Sequence, residues 1–195
     1  MASSTRRRLI EAAHDLFYDE GFHTVGLDRI LSEVGVTKTT FYNHFESKDS
    51  LMLEVLKHHD EWWRNTFAHK LREYGGDTPR GQLDAIFDVV EELINGDDYN
   101  GCIFINVAVA YPAPHDPAHE AAARHKVAME AIIRELAGYA GAADPTAFAQ
   151  ELTLLMEGAY VTHQVTRRNE TADIGRRLAH MVAEKHLKEA GTVWD

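Results

Sequence analysis

The sequence predicts an all-α protein of about nine helices. Three observations lead there. Apolar residues recur at helical spacing through nearly the whole chain. No segment alternates apolar and polar residues as a half-buried strand would. The interruptions are Gly, Pro and Asn, with Ser, Thr or Asp beside them as helix caps.

The elements follow in order. Leu9, Ala12, Ala13, Leu16 and Phe17 form the stripe of a first helix, with Ser3 or Ser4 to cap it and Gly21 to end it. Leu27, Ile30, Leu31 and Val34 share one face of a short second helix, broken by Gly35-Val36. Thr37 is the N-cap of a third, over residues 38–44. Ser47 caps a long fourth, with Asp49 in the first turn where a carboxylate suits the helix dipole, and Gly75-Gly76-Asp77 stops it. Pro79 opens a fifth, carrying Leu83, Ile86, Phe87, Val90 and Ile94. Residues 102–111 are apolar apart from Asn106 and fit a buried strand or a buried helix. A lone strand among helices has no pairing partner, so the sixth element is taken as helical. A loop with Pro112, Pro114 and Pro117 leads into a seventh helix ending near Ala140. Asp144-Pro145 begins the eighth, with Phe148, Leu152, Leu155, Ala159 and Tyr160 on one side. Thr171 caps the ninth, with Ile174, Leu178, Met181 and Val182 expected inward.

Composition narrows the function. The chain has 195 residues, 20 Lys and Arg against 31 Asp and Glu, and a net charge of −11. Coating nucleic acid by bulk charge is excluded, whereas a local reading surface is not. The acid is uneven: residues 1–50 hold 6 basic and 8 acidic groups, residues 51–195 hold 14 and 23. The single cysteine, Cys102, excludes an internal disulfide or a Cys-rich zinc site. No apolar run approaches the ~20 residues needed to cross a bilayer, and the polar start is not followed by a signal-type apolar block, so a cytoplasmic protein is expected.

Two short helices joined by Gly35-Val36-Thr37 make a helix-turn-helix. Gly35 tolerates the positive φ of the turn, and Val36 fills the space between the helices. Thr37 caps the second helix and leaves its N-terminal end free for a major groove. Lys38, Thr39 and Thr40 lie at that end, followed by Tyr42, Asn43 and His44, with Lys48 opening the next helix. Threonine offers a hydroxyl to base edges or phosphate and a methyl to thymine. Ammonium, amide and hydroxyl groups are the usual phosphate contacts. Phe41 and Phe45 anchor the helix to its core.

Residues 8–51 resemble the DNA-binding domain of the tetracycline-repressor (TetR/AcrR) family. The matching residues are Ile10, Ala12-Ala13, Leu16-Phe17, Gly21-Phe22, Thr24, Ile30, Gly35-Val36-Thr37-Lys38, Phe41-Tyr42, His44-Phe45, Ser47-Lys48 and Leu51. The resemblance implies a DNA-reading domain over residues 1–46 and a ligand-binding and dimerisation domain over 47–195. It further implies a homodimer built from the last two helices. A repressor of this kind leaves its palindromic operator when a small-molecule effector binds. The family's DNA contacts fall on Thr37, Lys38, Thr39, Thr40, Tyr42, Asn43, His44 and Lys48, with Thr24 near phosphate and Arg6 to Arg8 as a basic arm.

An effector pocket needs apolar walls with a few polar groups. Trp63, Phe67, Phe87, Cys102, Asn106, Met129, Met156, Tyr160 and His163 are the candidates, each weighed against ordinary core. Asn106 stands out, because an amide in an apolar run must find partners in protein or ligand. His115, His119 and His125 cluster in sequence without the spacing of a known metal motif, so no metal site is assigned. No nucleophile–base motif or Gly-rich phosphate loop is present; neither enzymatic activity nor a cofactor is expected.

Overall fold

The computed structural model describes residues 2–187, and all their regular structure is helical. The helices are α1 (Ala2–Glu20), α2 (Leu27–Val34), α3 (Lys38–Tyr42), α4 (Lys48–Gly75), α5 (Pro79–Asp84), α6 (Ile86–Ile94), α7 (Ile103–Ala110), α8 (Pro117–Tyr139), α9 (Pro145–Thr166) and α10 (Thr171–His186). The expected fifth helix is two, divided at Ala85. Its start is constrained: Gly81 lies so close to Gly75 at the end of α4 that a methyl on either would overlap the other's backbone.

Most caps follow side-chain chemistry. Ser47 Oγ accepts from Ser50 N (3.0 Å) while Ser50 Oγ accepts from Ser47 N (3.0 Å), a reciprocal cap on α4. Thr78 and Asp144 cap α5 and α9, each followed by proline at the first helical position. Two expected caps are corrected. Residue 2 is already helical, so Ser3 and Ser4 lie inside the first turn of α1. Thr171 is the first residue of α10, and its hydroxyl donates to Arg168 O (2.8 Å) instead of capping the helix.

The chain divides into two compact units. The first holds the described residues up to Trp63 together with Cys102–His125. Its core joins Leu9, Ala13 and Phe17 of α1, Ile30 and Leu31 of α2, Phe41 of α3 and Leu51 and Val55 of α4. Ile103, Phe104 and Val107 of α7 complete it, which is why a nearly all-apolar octapeptide is stable as one short helix. Beside this core, His125 of α8 is buried, stacks on Phe104 at 3.7 Å, and bonds through Nδ1 to Asp60 Oδ1 (2.7 Å). His59 of α4 lies edge-on to the same Phe104 and bonds through Nδ1 to His14 Nε2 of α1 (2.8 Å).

The second unit holds Arg64–Gly101 and the described residues from Lys126 onward. In it α10 packs on α9 and α6. Arg176 of α10 pairs with Asp88 (2.9 Å) and Glu91 (2.5 Å) of α6, and Lys185 with Glu151 of α9 (2.5 Å). The face that α10 turns inward is not the expected one. Its buried residues are Thr171, Ala172, Gly175, Ala183 and His186, whereas Ile174, Leu178 and Met181 are 44%, 41% and 63% exposed. The physical reason is the space available. Gly175 lies against the ring of Phe87, and a methyl there would overlap it. Helices that approach this closely need small residues at the contact, so the large apolar ones point away.

Burial, reinforced by His14 and His125, lowers the pKa of His59 from its usual 6.5 to about 3. The folded state therefore keeps His59 neutral while the unfolded chain protonates below pH 6.5. Stability is full above that pH and is lost as pH falls toward 3, with a slope of up to roughly 1.4 kcal/mol per pH unit. His59→Gln should flatten this slope when urea midpoints are compared between pH 7.5 and 4; an unchanged slope would place the titration elsewhere.

Candidate nucleic-acid interface

The turn between α2 and α3 is set by two residues. Gly35 is left-handed (φ 71°, ψ 41°), and its N–H returns to Leu31 O at 2.9 Å. This ends α2 with a carbonyl satisfied, in a conformation glycine reaches without a Cβ penalty. Thr37 is then extended, and its Oγ1 accepts from Thr40 N (3.2 Å). Five residues are too few for a helix to persist on propensity, so α3 depends on this cap and on tertiary anchors. Phe41 is fully buried, and Phe45 is 5% exposed.

Anchored this way, α3 displays its other faces. Thr37, Lys38, Thr39, Tyr42 and Asn43 are exposed, and Thr40 and His44 are half-buried. The Tyr42 ring is 57% exposed and meets Phe41 edge to face at 5.3 Å, which limits its orientation. Lys38 pairs with Asp28 of α2 at 2.9 Å, and that hydrogen bond and charge raise its pKa. It is therefore a permanent cation beside the helix N-terminus, where backbone N–H groups also favour anions.

Lys48 is placed differently. Its ammonium donates to Phe22 O (3.0 Å) and Val25 O (2.9 Å) in the α1–α2 turn and lies 5.8 Å from the Phe17 ring centroid. Arg6, Arg7 and Arg8 are residues of α1 and form no separate arm. Arg6 pairs with Glu54 and sits over the Phe45 ring, Arg7 pairs with Glu11, and Arg8 donates to Val34 O. Sequence reasoning missed Asp28, Glu54 and these backbone acceptors. The signal was present only as isolated acids, because their partners lie on other helices.

The effector candidates divide between the units. Trp63, Cys102 and Asn106 belong to the first, with Trp63 buried and the other two half-buried. Phe67, Phe87, Met129, Met156, Tyr160 and His163 belong to the second, and all six are buried. His163 bonds through Nδ1 to Arg168 O (3.0 Å) and lines a polar cleft of about 680 Å³ with Glu91, Asp97, Arg167 and Asp173. The histidines that cluster in sequence separate in space: His115 is exposed, His119 bonds to Tyr111 O, and His125 bonds to Asp60. Among the described residues no group of three His, Cys, Asp or Glu is arranged to hold a metal. None of the described helices is long and apolar enough to cross a membrane.

A glycine-turned, threonine-capped helix displayed from a small helical core defines a helix-turn-helix DNA-binding protein. The chain belongs to the TetR family of bacterial transcriptional regulators, which are not enzymes. The family model "Bacterial regulatory proteins, tetR family" matches residues 9–55, and "Tetracyclin repressor-like, C-terminal domain" matches residues 79–179. Among its relatives, the HTH-type transcriptional activator FasR of Mycolicibacterium smegmatis is 35% identical over 65% of this chain and 54% of its own, so this chain spans about half of that protein. The HTH-type transcriptional regulator YjdC of Escherichia coli is 24% identical over 89% of this chain and 91% of its own. The crystal structure of SCO4454, a TetR-family transcriptional regulator from Streptomyces coelicolor, superposes with a TM-score of 0.84 at 29% identity, covering 96% of this chain and 97% of that one.

Lys48→Met should test the clamp on the α1–α2 turn. Loss of two hydrogen bonds from a charged donor is expected to cost about 3 kcal/mol or more in urea unfolding. An unchanged midpoint would show that the ammonium holds nothing.

Proposed function

We propose that this regulator is a homodimeric repressor that binds a palindromic operator through α3 and is released by a small-molecule effector. The observation that carries the reading is the display of Thr37, Lys38, Thr39, Tyr42 and Asn43 on a capped helix with Thr40 and His44 at its margin. In this reading α3 enters the major groove, the threonines and Asn43 meet base edges, and Lys38 and Tyr42 hold phosphate. Lys48 adds charge from the start of α4 while keeping its hold on the turn. Phosphate competes with Asp28 for the Lys38 ammonium, an exchange between two anionic partners at an exposed site.

Dimerisation is supported by what α9 and α10 leave uncovered. Leu154, Val161 and Val165 of α9 are 74%, 43% and 77% exposed, and they recur at helical spacing along one line. Ile174, Leu178 and Met181 of α10 form a second such line. Apolar stripes on two mutually packed helices are what a four-helix interface between identical chains buries. The effector is assigned to the buried aromatic and sulfur side chains of the second unit, Phe67, Phe87, Met129, Met156, Tyr160 and His163, which suits a largely apolar small molecule. An effector that binds the operator-free state more tightly shifts the population off DNA. The protein would act in the cytoplasm, where operator and effector meet.

Genomic pull-down of bound DNA gives the operator. On that operator, Lys38→Ala with Tyr42→Phe should weaken binding about tenfold or more and reduce the salt slope by about 1, with the helical content unchanged. In a reporter driven from it, the same variant should raise transcription; a fall would assign activation, the sense that the name of the FasR relative carries. Equal affinity of variant and parent would remove α3 from the interface. Sedimentation velocity at micromolar concentration should show a dimer that Leu154→Glu with Met181→Glu converts to monomer. A monomeric parent would exclude the α9–α10 assembly.

A further inference from the structure

Outside the DNA-reading face, the first unit contains a cleft of about 460 Å³ between α1 and α4. It is lined by Ile10, Glu11, His14 and Asp15 from α1 and by Val55, His58, His59 and Trp62 from α4. The volume is in the range of small-molecule sites. Its composition is specific. Ile10 and Val55, both buried in the core, give an apolar floor. Trp62 leaves 53% of its surface open and stands beside His59, with ring centroids 5.3 Å apart. Two carboxylates, Glu11 and Asp15, line the cleft and no Lys or Arg does, although Arg7 pairs with Glu11 from outside it.

The histidines add directionality. The Asp15 carboxylate bonds to His14 Nδ1 (2.9 Å), and His14 Nε2 bonds to His59 Nδ1 (2.8 Å). An ionised carboxylate only accepts, so His14 Nδ1 carries the proton, and in the neutral ring Nε2 is then the acceptor. His59 Nδ1–H must then be the donor, and its Nε2 is left with a lone pair. That nitrogen has no hydrogen-bond partner among the described residues. Burial keeps the His59 ring neutral, so with a neutral His14 as its partner the Nε2 lone pair is available.

We propose that this cleft binds a small planar aromatic cation that carries N–H donors, stacked on Trp62, with an N–H directed to His59 Nε2 and its charge facing Glu11 and Asp15. The indole face attracts a cation through its quadrupole, the carboxylates select positive charge, and the acceptor selects an N–H over a fully alkylated nitrogen. The site is separate from the effector site assigned to the second unit.

The test uses the full chain without DNA, so its outcome is independent of the operator reading. Isothermal titration with 9-aminoacridine should give a micromolar dissociation constant with one site per chain. Trp62→Ala should weaken binding about tenfold, and Trp62→Phe should recover most of it. Glu11→Gln with Asp15→Asn should weaken it by a similar factor. Acridine, neutral at pH 7.5 and without an N–H, should bind at least about tenfold more weakly. Thermal melts of the variants confirm that they fold, and Trp62 and Glu11 are both exposed. Absence of binding, binding that survives Trp62→Ala together with the double carboxylate variant, or equal affinity for acridine would each overturn the proposal.

Discussion

The reading head depends on one buried-side cation. The Lys48 ammonium satisfies Phe22 O and Val25 O at once and rests near the face of Phe17. Those carbonyls belong to the turn between α1 and α2, and Lys48 belongs to the first turn of α4. Three helices are thereby joined at a point where backbone polar groups would otherwise have to turn to water. Hydrogen bonds from charged donors are among the stronger ones, at roughly 1.5–3 kcal/mol each. Arg8 does comparable work at the far end of α2 by donating to Val34 O (2.6 Å), and Arg6 bridges α1 to Glu54 of α4. Helix α3, only five residues long, is displayed from this frame, held by the Thr37 cap and by buried Phe41.

This use of cations changes the meaning of the charge distribution. Six basic residues occur in the first fifty, yet most of them are occupied inside the head. Arg6, Arg7 and Arg29 pair with carboxylates, and Arg8 and Lys48 hold carbonyls. Lys38 is the basic residue of α3 itself, and even it shares Asp28. With a net charge of −11 on the chain, nonspecific attraction to a polyanion is weak. In the proposed docking, discrimination would then rest on the hydroxyl, amide and aromatic groups displayed by α3, which depend on contact geometry more than on field.

What was legible in the sequence was local. Gly35, Thr37, Ser47, Asp144 and Pro145 act through neighbours within one turn, and each stands where its chemistry requires. The aromatic anchors Phe41 and Phe45 were equally legible, because two large apolar residues four apart, one on the short helix and one just beyond its end, interrupt an otherwise polar stretch and are expected in the core. The face of α10 was not. Periodicity reports that Ile174, Leu178 and Met181 share a side, but not whether that side meets its own chain or another surface. The decision came from Gly175, whose lack of a side chain permits close approach to Phe87 of α6. The roles of Lys48 and Arg8 were illegible for a related reason: their partners are backbone carbonyls, which carry no signature in residue type. The His14–His59 and Asp60–His125 pairs join helices far apart in sequence, so neither spacing nor motif announces them.

The missing side chain at Gly175 has a mechanical consequence. The Phe87 ring occupies the volume a methyl would need, so the packing of α10 on α6 favours the axial position that sets Gly175 against the ring. Sliding by one helical turn would bring Thr171 or Ala179 onto the ring, and either would be driven out. The glycine is in effect a detent that indexes α10 along its neighbours. Because Ile174, Leu178 and Met181 ride on the same rigid helix, their height relative to Leu154, Val161 and Val165 of α9 is fixed by that detent. The pattern of the outward apolar surface is thus calibrated from the inside, by an atom that is absent.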